Sequence, residues 1–287
     1  MNLVFLLQQT LNGLSFGALL FLLASGFTLV FGLMRIVNLA HGGFYLLGGY
    51  VGVVTMATTG NIALAVLVSV LVVAVFGLGI ERFLLRRLRG QELPEVLLTV
   101  GILFVIADLC LAIFGGDPLS LKVPAFLEGS FAVNGFNYPK YRIVVVLLAV
   151  VVGIGLWAMQ RFTRTGAIVR AGVDDREIAG AMGINIRAVF TGMFVFGAAL
   201  AALAGTAGSG IISLRPGVEN DVLLYALVVV IIGGLGSIKG AAVGSVLIGL
   251  IDAFSKAWLP DFSYFTIFAP MALILVLRPT GLFGRAA

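Results

Sequence analysis

Charged residues are scarce in this sequence, and the side chains that build most metal and catalytic sites are almost absent. Only 11% of the 287 residues are Asp, Glu, Lys or Arg, against about 25% in soluble domains. Cys110 is the one cysteine, which excludes an internal disulfide framework and a cysteine-based metal site. His41 is the one histidine, so the sequence predicts no metal centre, no bound cofactor and no catalytic triad.

Hydrophobic residues take the place of the missing charges. They make up 61% of the chain and give a mean hydropathy of +1.16. They form blocks of roughly 15 to 25 residues, the length at which a helix crosses a hydrocarbon core of about 30 Å. The 38 glycines suit membrane helices, in which small residues let backbones approach closely. The predicted fold class is therefore all-α, a polytopic transmembrane helical bundle that forms one domain over residues 1–287.

Nine apolar blocks are candidates for membrane-spanning helices. The second, seventh and eighth are short for full spans, so each is extended by flanking glycines, re-entrant, or a broken helix buried in protein. Eight or nine crossings are expected. Residues 1–10 lack the positive region of a cleavable signal and are interpreted as part of the first helix. The nine blocks are Leu11–Leu33, Phe44–Met56, Ile62–Ile80, Val96–Phe114, Ile143–Met159, Phe190–Ile212, Val222–Ile232, Ala241–Phe254 and Phe265–Leu277.

The basic residues indicate an orientation in the membrane. A net charge of +5 and a pI of about 9.7 come from residues beside the apolar blocks, and no patch combines them with aromatic residues, so nucleic-acid binding is not predicted. Cytoplasmic loops carry an excess of Lys and Arg. With nine crossings, 13 of the 18 Lys and Arg residues fall on one side. This split predicts an external amino terminus, a cytoplasmic carboxyl terminus, a cytoplasmic segment at about 160–188 and an external loop at about 115–142.

Two glycine-rich segments interrupt the apolar pattern in opposite halves of the chain. The first holds Arg35, Asn38, His41 and Gly42. If it is helical, the three polar side chains share one face; if it is unwound, its backbone needs protein or water around it. Paired broken segments of this kind point to a translocation route or its gate. The alternatives are a cytoplasmic turn with a helix cap at Asn38 and, for the second segment, a tight helical hairpin. The candidates in the second segment are Gly233, Gly234, Gly236 and Ser237.

A third segment, Arg170–Arg187, is polar and lies between the fifth and sixth apolar blocks. Asp174 or Asp175 can cap a helix there, and Gly183 would end it after about two turns. Because so short a helix is not stable alone, it is expected to dock either on its own bundle or in the groove of a cytosolic partner.

Asp108 is an acidic residue in the middle of the fourth apolar block. A carboxylate inside a membrane is costly unless it is neutralised or paired, so Asp108 is a candidate functional residue. For Asp252, near the end of the eighth block, a structural pairing or capping role is as compatible with the sequence as a role in transport.

The residues around Glu177 resemble the Glu-Ala-Ala…Gly coupling motif of bacterial ABC importer permeases, with Ile178 in place of the first alanine. Three longer stretches together resemble the branched-chain amino-acid permease family, specifically its leucine/isoleucine/valine subunit of the LivH type. They are Gly26–Gly42, Asp175–Glu177 with Met182–Asn185, and Gly233–Gly240.

The resemblance implies an ABC importer permease that carries branched-chain amino acids into the cytoplasm across the bacterial inner membrane. It implies a homologous second permease, two ATP-binding subunits, a periplasmic substrate-binding protein and the surrounding lipid bilayer as partners. No P-loop of the form G-x-x-x-x-G-K-[ST] occurs in the chain, so ATP and magnesium are expected on the partner subunits and this chain is not expected to be an enzyme. The residues assigned to ATPase coupling are Asp175, Arg176, Glu177, Ile178, Ala179, Met182 and Gly183.

Two other functions are compatible with the residues. One is a stand-alone secondary carrier or channel for small polar solutes, against which the small number of intramembrane acids argues. The other is a permease of the same type for urea or short amides.

Overall fold

The computed structural model describes residues 3–34, 37–133 and 136–284, and most of that part of the chain is helical. A π-helical turn at Glu81–Leu85 continues the third helix, and β1 (Ser130–Val133) pairs antiparallel with β2 (Phe136–Pro139) in a small hairpin. The helices are α1 (Leu3–Met34), α2 (Ala40–Thr59), α3 (Ile62–Ile80), α4 (Arg86–Leu88), α5 (Glu92–Phe114), α6 (Lys140–Phe162), α7 (Arg164–Asp174), α8 (Arg176–Ala181), α9 (Ile186–Gly208), α10 (Val218–Gly233), α11 (Ile238–Trp258) and α12 (Ser263–Leu277).

Each of the nine predicted apolar blocks forms the body of one helix, which confirms the predicted all-α class. Six helices in the described residues are long and apolar enough to cross a membrane, and the chain is a multi-pass membrane protein. Of the three alternatives for the short blocks, extension by flanking residues is observed for all three, and the seventh block becomes a helix of 16 residues. The second block becomes a helix of 20 residues and the eighth a helix of 21 residues.

The extension of α11 has a local physical cause at each end. The Ser237 side chain accepts a hydrogen bond from the Gly240 backbone N–H and so caps the helix ahead of Lys239. At the other end, Lys256 donates to Asp252 one turn earlier at 2.8 Å, which keeps this charged turn helical. Asp252 is therefore in an ion pair, which is one of the roles that the sequence left open for it.

The bundle has two ends, which we call the first face and the second face. The first face holds the beginning of α1, where Arg142 donates to Asn12 at 2.5 Å, and the loop pairing between Leu119 and Leu214. The second face holds the end of α1, which approaches Gly236. An α1 of 32 residues separates the two faces by about 48 Å.

The helix α1 lies at the centre of the bundle. It packs most extensively on α11 and α9, and α2 packs mainly on α9. Glycines make these contacts close: a Cβ added to Gly26 would lie 2.7 Å from Gly197 O, and one added to Gly17 would lie 2.7 Å from Ser245 O. A Cβ on Gly205 would lie 2.0 Å from Tyr45 O. By contrast, α3, α5 and α6 lie at the periphery and present wide apolar faces outward.

Candidate functional site

The segment between α6 and α9 lies on the second face and contains two short helices. Thr163 caps the first of them, α7, because its hydroxyl accepts a hydrogen bond from Gly166 N at 3.1 Å. Asp175 starts the second, α8, in the same way: its Oδ1 accepts from Ile178 N at 2.9 Å. A helix cap at Asp175 was one of the two predicted caps, and the side chain of the other, Asp174, lies outside the described part of the structure.

Gly183 ends α8 in a left-handed conformation with φ +84°. The Ile184 N–H bonds to Ala179 O at 3.1 Å and the Gly183 N–H bonds to Gly180 O at 3.0 Å, a Schellman arrangement. A side chain in place of Gly183 would be strained even though no atom lies within 4 Å of an added Cβ. Both ends of a helix of six residues are therefore fixed by side-chain or backbone caps.

The two sides of α8 differ in exposure. Ala179 is only 3% exposed and faces the rest of the chain, whereas Ile178 is 61% and Met182 79% exposed. Residues four apart lie on one side of a helix, so Ile178 and Met182 form a continuous apolar surface that nothing in the described structure covers. Arg176 and Glu177 lie on α8, and their side chains are outside the described part of the structure.

A buried ion pair holds the end of α3 against the start of α9, the helix that follows this segment. Glu81 is 1% exposed, lies in the π-helical turn after α3, and pairs with Arg89. Its second carboxylate oxygen accepts from the Thr191 hydroxyl at 2.6 Å, in the second turn of α9. Arg89 also lies over the Phe190 ring, 4.6 Å from its centre. Burial lowers the pKa of Arg89 while Glu81 and Glu95 raise it, and an arginine stays charged in either case.

This link, built on Glu81, was missed by sequence reasoning. The available signal was an acidic residue directly before the arginine-rich stretch Arg82–Arg89, where repulsion among the arginines favours a carboxylate. The link ties the end of α3 to the start of α9, the helix that directly follows the segment containing α8.

The first predicted break lies between α1 and α2, and its described residues 37–39 are not helical. Arg35 lies outside the described residues, Asn38 is in irregular backbone and His41 is in the first turn of α2, so the unwound alternative is observed there and not one shared helical face. The alternative of a helix cap at Asn38 is not observed, since the residue before α2 is Leu39 and no side chain caps the helix. Instead of a side-chain cap, the backbone at this point has a tertiary hydrogen bond: Leu39 N donates to Thr99 Oγ1 at 3.2 Å.

The first turn of α2, directly after this break, lies inside the bundle. His41 Nε2 lies 2.9 Å from Leu23 O, a carbonyl about three turns, or roughly 16 Å, before the end of α1. A Cβ on Gly42 would lie 2.5 Å from Glu219 O at the start of α10. His41 is fully buried and Asn38 is 5% exposed. Such unwound backbone at depth is tolerated because protein surrounds it.

The second predicted break, between α10 and α11, is shorter than the sequence suggests. Gly233 is the last residue of α10 and Ser237 caps α11, which leaves Gly234 and Gly236 in the turn, both with positive φ. A Cβ on Gly236 would lie 3.1 Å from Gly32 Cα in the last turns of α1. The second break therefore adjoins the end of α1, while His41 and Gly42 of the first break lie deeper.

Asp108 is exposed on α5 among apolar side chains such as Phe104 and Leu109. No ion pair to it is present among the described residues. A carboxylate facing hydrocarbon would be costly, so this face of α5 is poorly suited to lipid contact. Within the described part of the chain, no group of three or more His, Cys, Asp or Glu residues is placed to hold a metal ion.

Comparison with known proteins places this architecture in a family. The family model of the permease component of branched-chain amino acid transport systems matches residues 9–277. The high-affinity branched-chain amino acid transport permease BraD of Pseudomonas aeruginosa is 30% identical over 97% of this chain and 96% of that protein. The corresponding permease LivH of Escherichia coli is 28% identical over 98% of this chain and 96% of that protein.

One solved structure has the same fold at low sequence identity. PsaBC from Streptococcus pneumoniae, solved in complex with a Fab, aligns with a TM-score of 0.50 and 12% identity, covering 93% of this chain and 89% of that chain. The match of the family model along almost the whole length, together with the identity to BraD, leads to one conclusion: this chain belongs to the family of permease components of branched-chain amino acid transport systems.

Proposed function

We propose that the chain is the translocation subunit of an ATP-driven importer that moves branched-chain amino acids into the cytoplasm. Its family is that of amino-acid transport permeases, and ABC-type components are the expected partners. In this proposal the chain is one transmembrane permease domain and hydrolyses nothing itself. ATP and Mg²⁺ bind two separate ATPase subunits, and a periplasmic binding protein delivers the substrate.

The observation that carries the proposal is the capped helix α8. Its six residues are too few for a stable isolated helix, yet both ends are capped and Ile178 and Met182 remain exposed. An exposed apolar surface on a short rigid element suits insertion into a groove of another protein. We assign ATPase contact to the α8 region from Asp175 to Gly183.

The orientation follows from the charges. The arginine-rich stretch Arg82–Arg89, the α7–α8 segment and Arg187 share the second face, and the positive-inside rule makes that face cytoplasmic. The segment at about 160–188 is then inside, and the loop at about 115–142 is outside. The inner membrane of a bacterium is the membrane in which such a permease works.

The movement of α8 reaches the bundle through α9, which follows α8 in the chain, contacts it, and is held to α3 by the link at Glu81. This carboxylate connects the end of α3, through Arg89, with Thr191 in α9, and α9 packs on α1 and α2. A tilt of the α7–α8 segment would therefore pass through α9 to α1 and α2, which flank the first break, and the end of α1 adjoins Gly236 in the second break. We propose that these breaks gate the route, with His41, Gly42 and Gly236 at the moving contacts.

The exposed face of α5 is a suitable contact surface for the second permease. Asp108 on an otherwise apolar face argues for contact with protein and substrate route rather than lipid. We propose that the homologous permease packs on this face, with the route between the two chains.

Reconstitution tests the proposal. The chain, its second permease, two ATPase subunits and the binding protein are placed in liposomes, and uptake of radiolabelled leucine is measured with and without ATP. ATP-dependent uptake is expected, with competition by isoleucine and valine. Uptake by the permease chain alone would instead identify a secondary carrier or channel, and competition by urea would identify an amide permease.

A charge-reversal pair locates the coupling. Glu177→Arg places a cation in the first turn of α8, where the helix dipole disfavours it, and is expected to lower uptake per ATP hydrolysed. Glu128→Arg makes the same change in the exposed loop on the first face and is expected to leave that ratio unchanged. Equal ratios for both variants would contradict the assignment of α8.

A further inference from the structure

A cavity of about 430 Å³ opens on the first face, far from α8. Side chains from α1, α6, α10 and α11 and from the α9–α10 connection line it. It is larger than an amino acid needs, and no segment of the described chain fills it. The cavity could not be predicted from the sequence, because its wall comes from five separate parts of the chain.

The charges around the cavity are incompletely paired. Two ion pairs lie in its wall: Lys256 with Asp252 at 2.8 Å and Arg215 with Asp221 at 3.0 Å. Arg142 has no carboxylate partner among the described residues and donates only to the side-chain oxygen of Asn12, at 2.5 Å. One guanidinium is therefore available for an anion, and Arg is well matched to a carboxylate.

A carboxylate with spare acceptor capacity lies nearby. Asp252 accepts from the Tyr225 hydroxyl at 3.0 Å and from Lys256, which uses two of about four acceptor positions on a carboxylate. Tyr225 packs edge-on against Phe16, with ring centres 5.2 Å apart. The Arg142 guanidinium bonds to Asn12, and the Asp252 carboxylate bonds to Tyr225, which packs on Phe16. The two groups therefore lie beside one turn of α1, from Asn12 to Phe16, a rise of about 6 Å.

Beside Gln9 and the two ion pairs, the wall has an apolar part. Phe16 and the side chains of Ile211, Val218 and Val222 line the cavity, and Val218 and Val222 are buried at 2% and 4% exposure. A cation, an anion and a hydrocarbon wall in one cavity correspond to the three parts of an aliphatic α-amino acid.

We propose that this cavity binds a zwitterionic amino acid with a branched aliphatic side chain. Arg142 holds the α-carboxylate, Asp252 with Tyr225 holds the α-ammonium, and the apolar wall takes the side chain. The inference rests on the proposed function for its ligand class and for the external position of the first face. It adds a binding site in the permease itself, where a solute released by the binding protein is received.

Equilibrium binding of tritiated L-leucine to the assembled complex of permeases and ATPases, without binding protein, tests this. Saturable binding is expected. Leucinamide, which lacks the carboxylate, and 4-methylpentanoate, which lacks the ammonium, are each expected to bind about tenfold more weakly. The ligand series needs no mutation, so it is independent of any folding defect.

Variants then assign each contact. Arg142→Gln is expected to weaken leucine binding about tenfold and to leave leucinamide binding unchanged, because that ligand has no carboxylate to lose. Asp252→Asn is expected to weaken leucine binding and to leave 4-methylpentanoate binding unchanged. Lys140→Gln is the matched control, since Lys140 is in the same first turn of α6 but lies against Phe131 outside the cavity.

Three results would overturn the inference: equal binding of leucine and leucinamide, equal leucine affinity in Arg142→Gln and Lys140→Gln, or no leucine binding by a complex that performs ATP-driven uptake with its binding protein. The last result would leave the proposed function intact. Loss of ATP-driven uptake in the wild-type liposomes would instead overturn the proposed function, and the separate uptake assay shows which of the two has failed.

Discussion

The cap of α8 gives the sharpest test of the coupling mechanism, through two glycines three residues apart. Gly183 has φ +84° and Gly180 lies within the helix. An added Cβ meets no atom within 4 Å at either position. Gly183→Ala and Gly180→Ala therefore add the same methyl group to open space and differ only in the backbone conformation that the alanine must adopt.

The two substitutions change the stability of α8 in opposite directions. Alanine in the left-handed region costs about 1–2 kcal/mol, so Gly183→Ala destabilises the helix end. Alanine in place of a glycine inside a helix contributes about 0.5–1 kcal/mol, so Gly180→Ala stabilises α8. Because a helix of six residues has no stability to spare, a cost of 1–2 kcal/mol changes the population of the formed helix by about five- to thirtyfold.

The assay measures leucine accumulated and phosphate released by the same proteoliposomes. Gly183→Ala is expected to lower the leucine moved per ATP about fivefold or more, with unchanged membrane insertion, since the site is remote from the apolar core. Gly180→Ala is expected to match or exceed the wild-type ratio. The reasoning is refuted if Gly183→Ala couples as well as Gly180→Ala.

Three further predictions concern other contacts. Met182→Lys replaces a side chain that is 79% exposed, so it should weaken co-purification of the ATPase subunits without lowering the melting temperature of the permease; a normal yield of ATPase would contradict this. Glu81→Gln breaks a buried ion pair and should cost about 3–5 kcal/mol of stability, whereas Asp221→Asn at an exposed pair should cost at most about 1 kcal/mol; thermal unfolding in detergent compares them. Gly205→Ala should destabilise the bundle by about 1–3 kcal/mol or more, because its Cβ would lie 2.0 Å from Tyr45 O, while Gly101→Ala, with nothing within 4 Å, should not; similar melting temperatures would refute the packing argument.

Apolar block length was enough to place the helices. The blocks are long, and a membrane helix must satisfy its backbone hydrogen bonds internally, so few other conformations compete. The capping residues Asp175 and Gly183 were also predictable, because caps depend on local chemistry.

The conformation around Asn38 could not be read from the sequence. Spacing of three suggested a helical face, but the residue lies in irregular backbone near Thr99 of α5. Tertiary contacts decided the outcome there. The same holds for the exposed position of Asp108, since which side of an apolar helix faces outward depends on its neighbours.

The cavity on the first face depends even more strongly on tertiary contacts. Arg142 and Asp252 are separated by more than a hundred residues, and neither lies in a motif. Only the packing of α1 against α6, α10 and α11 brings them to one opening.

The central position of α1 has a consequence for biosynthesis. This helix is made before its main neighbours, α9 and α11, which follow it by more than 150 residues. Until they arrive, Gly13 and Gly17, which touch α11 in the finished protein, must face lipid or a membrane insertase. A ribosome stalled before α11 should therefore leave α1 accessible to lipid-borne photo-crosslinkers, and that labelling should disappear once α11 has entered the bilayer.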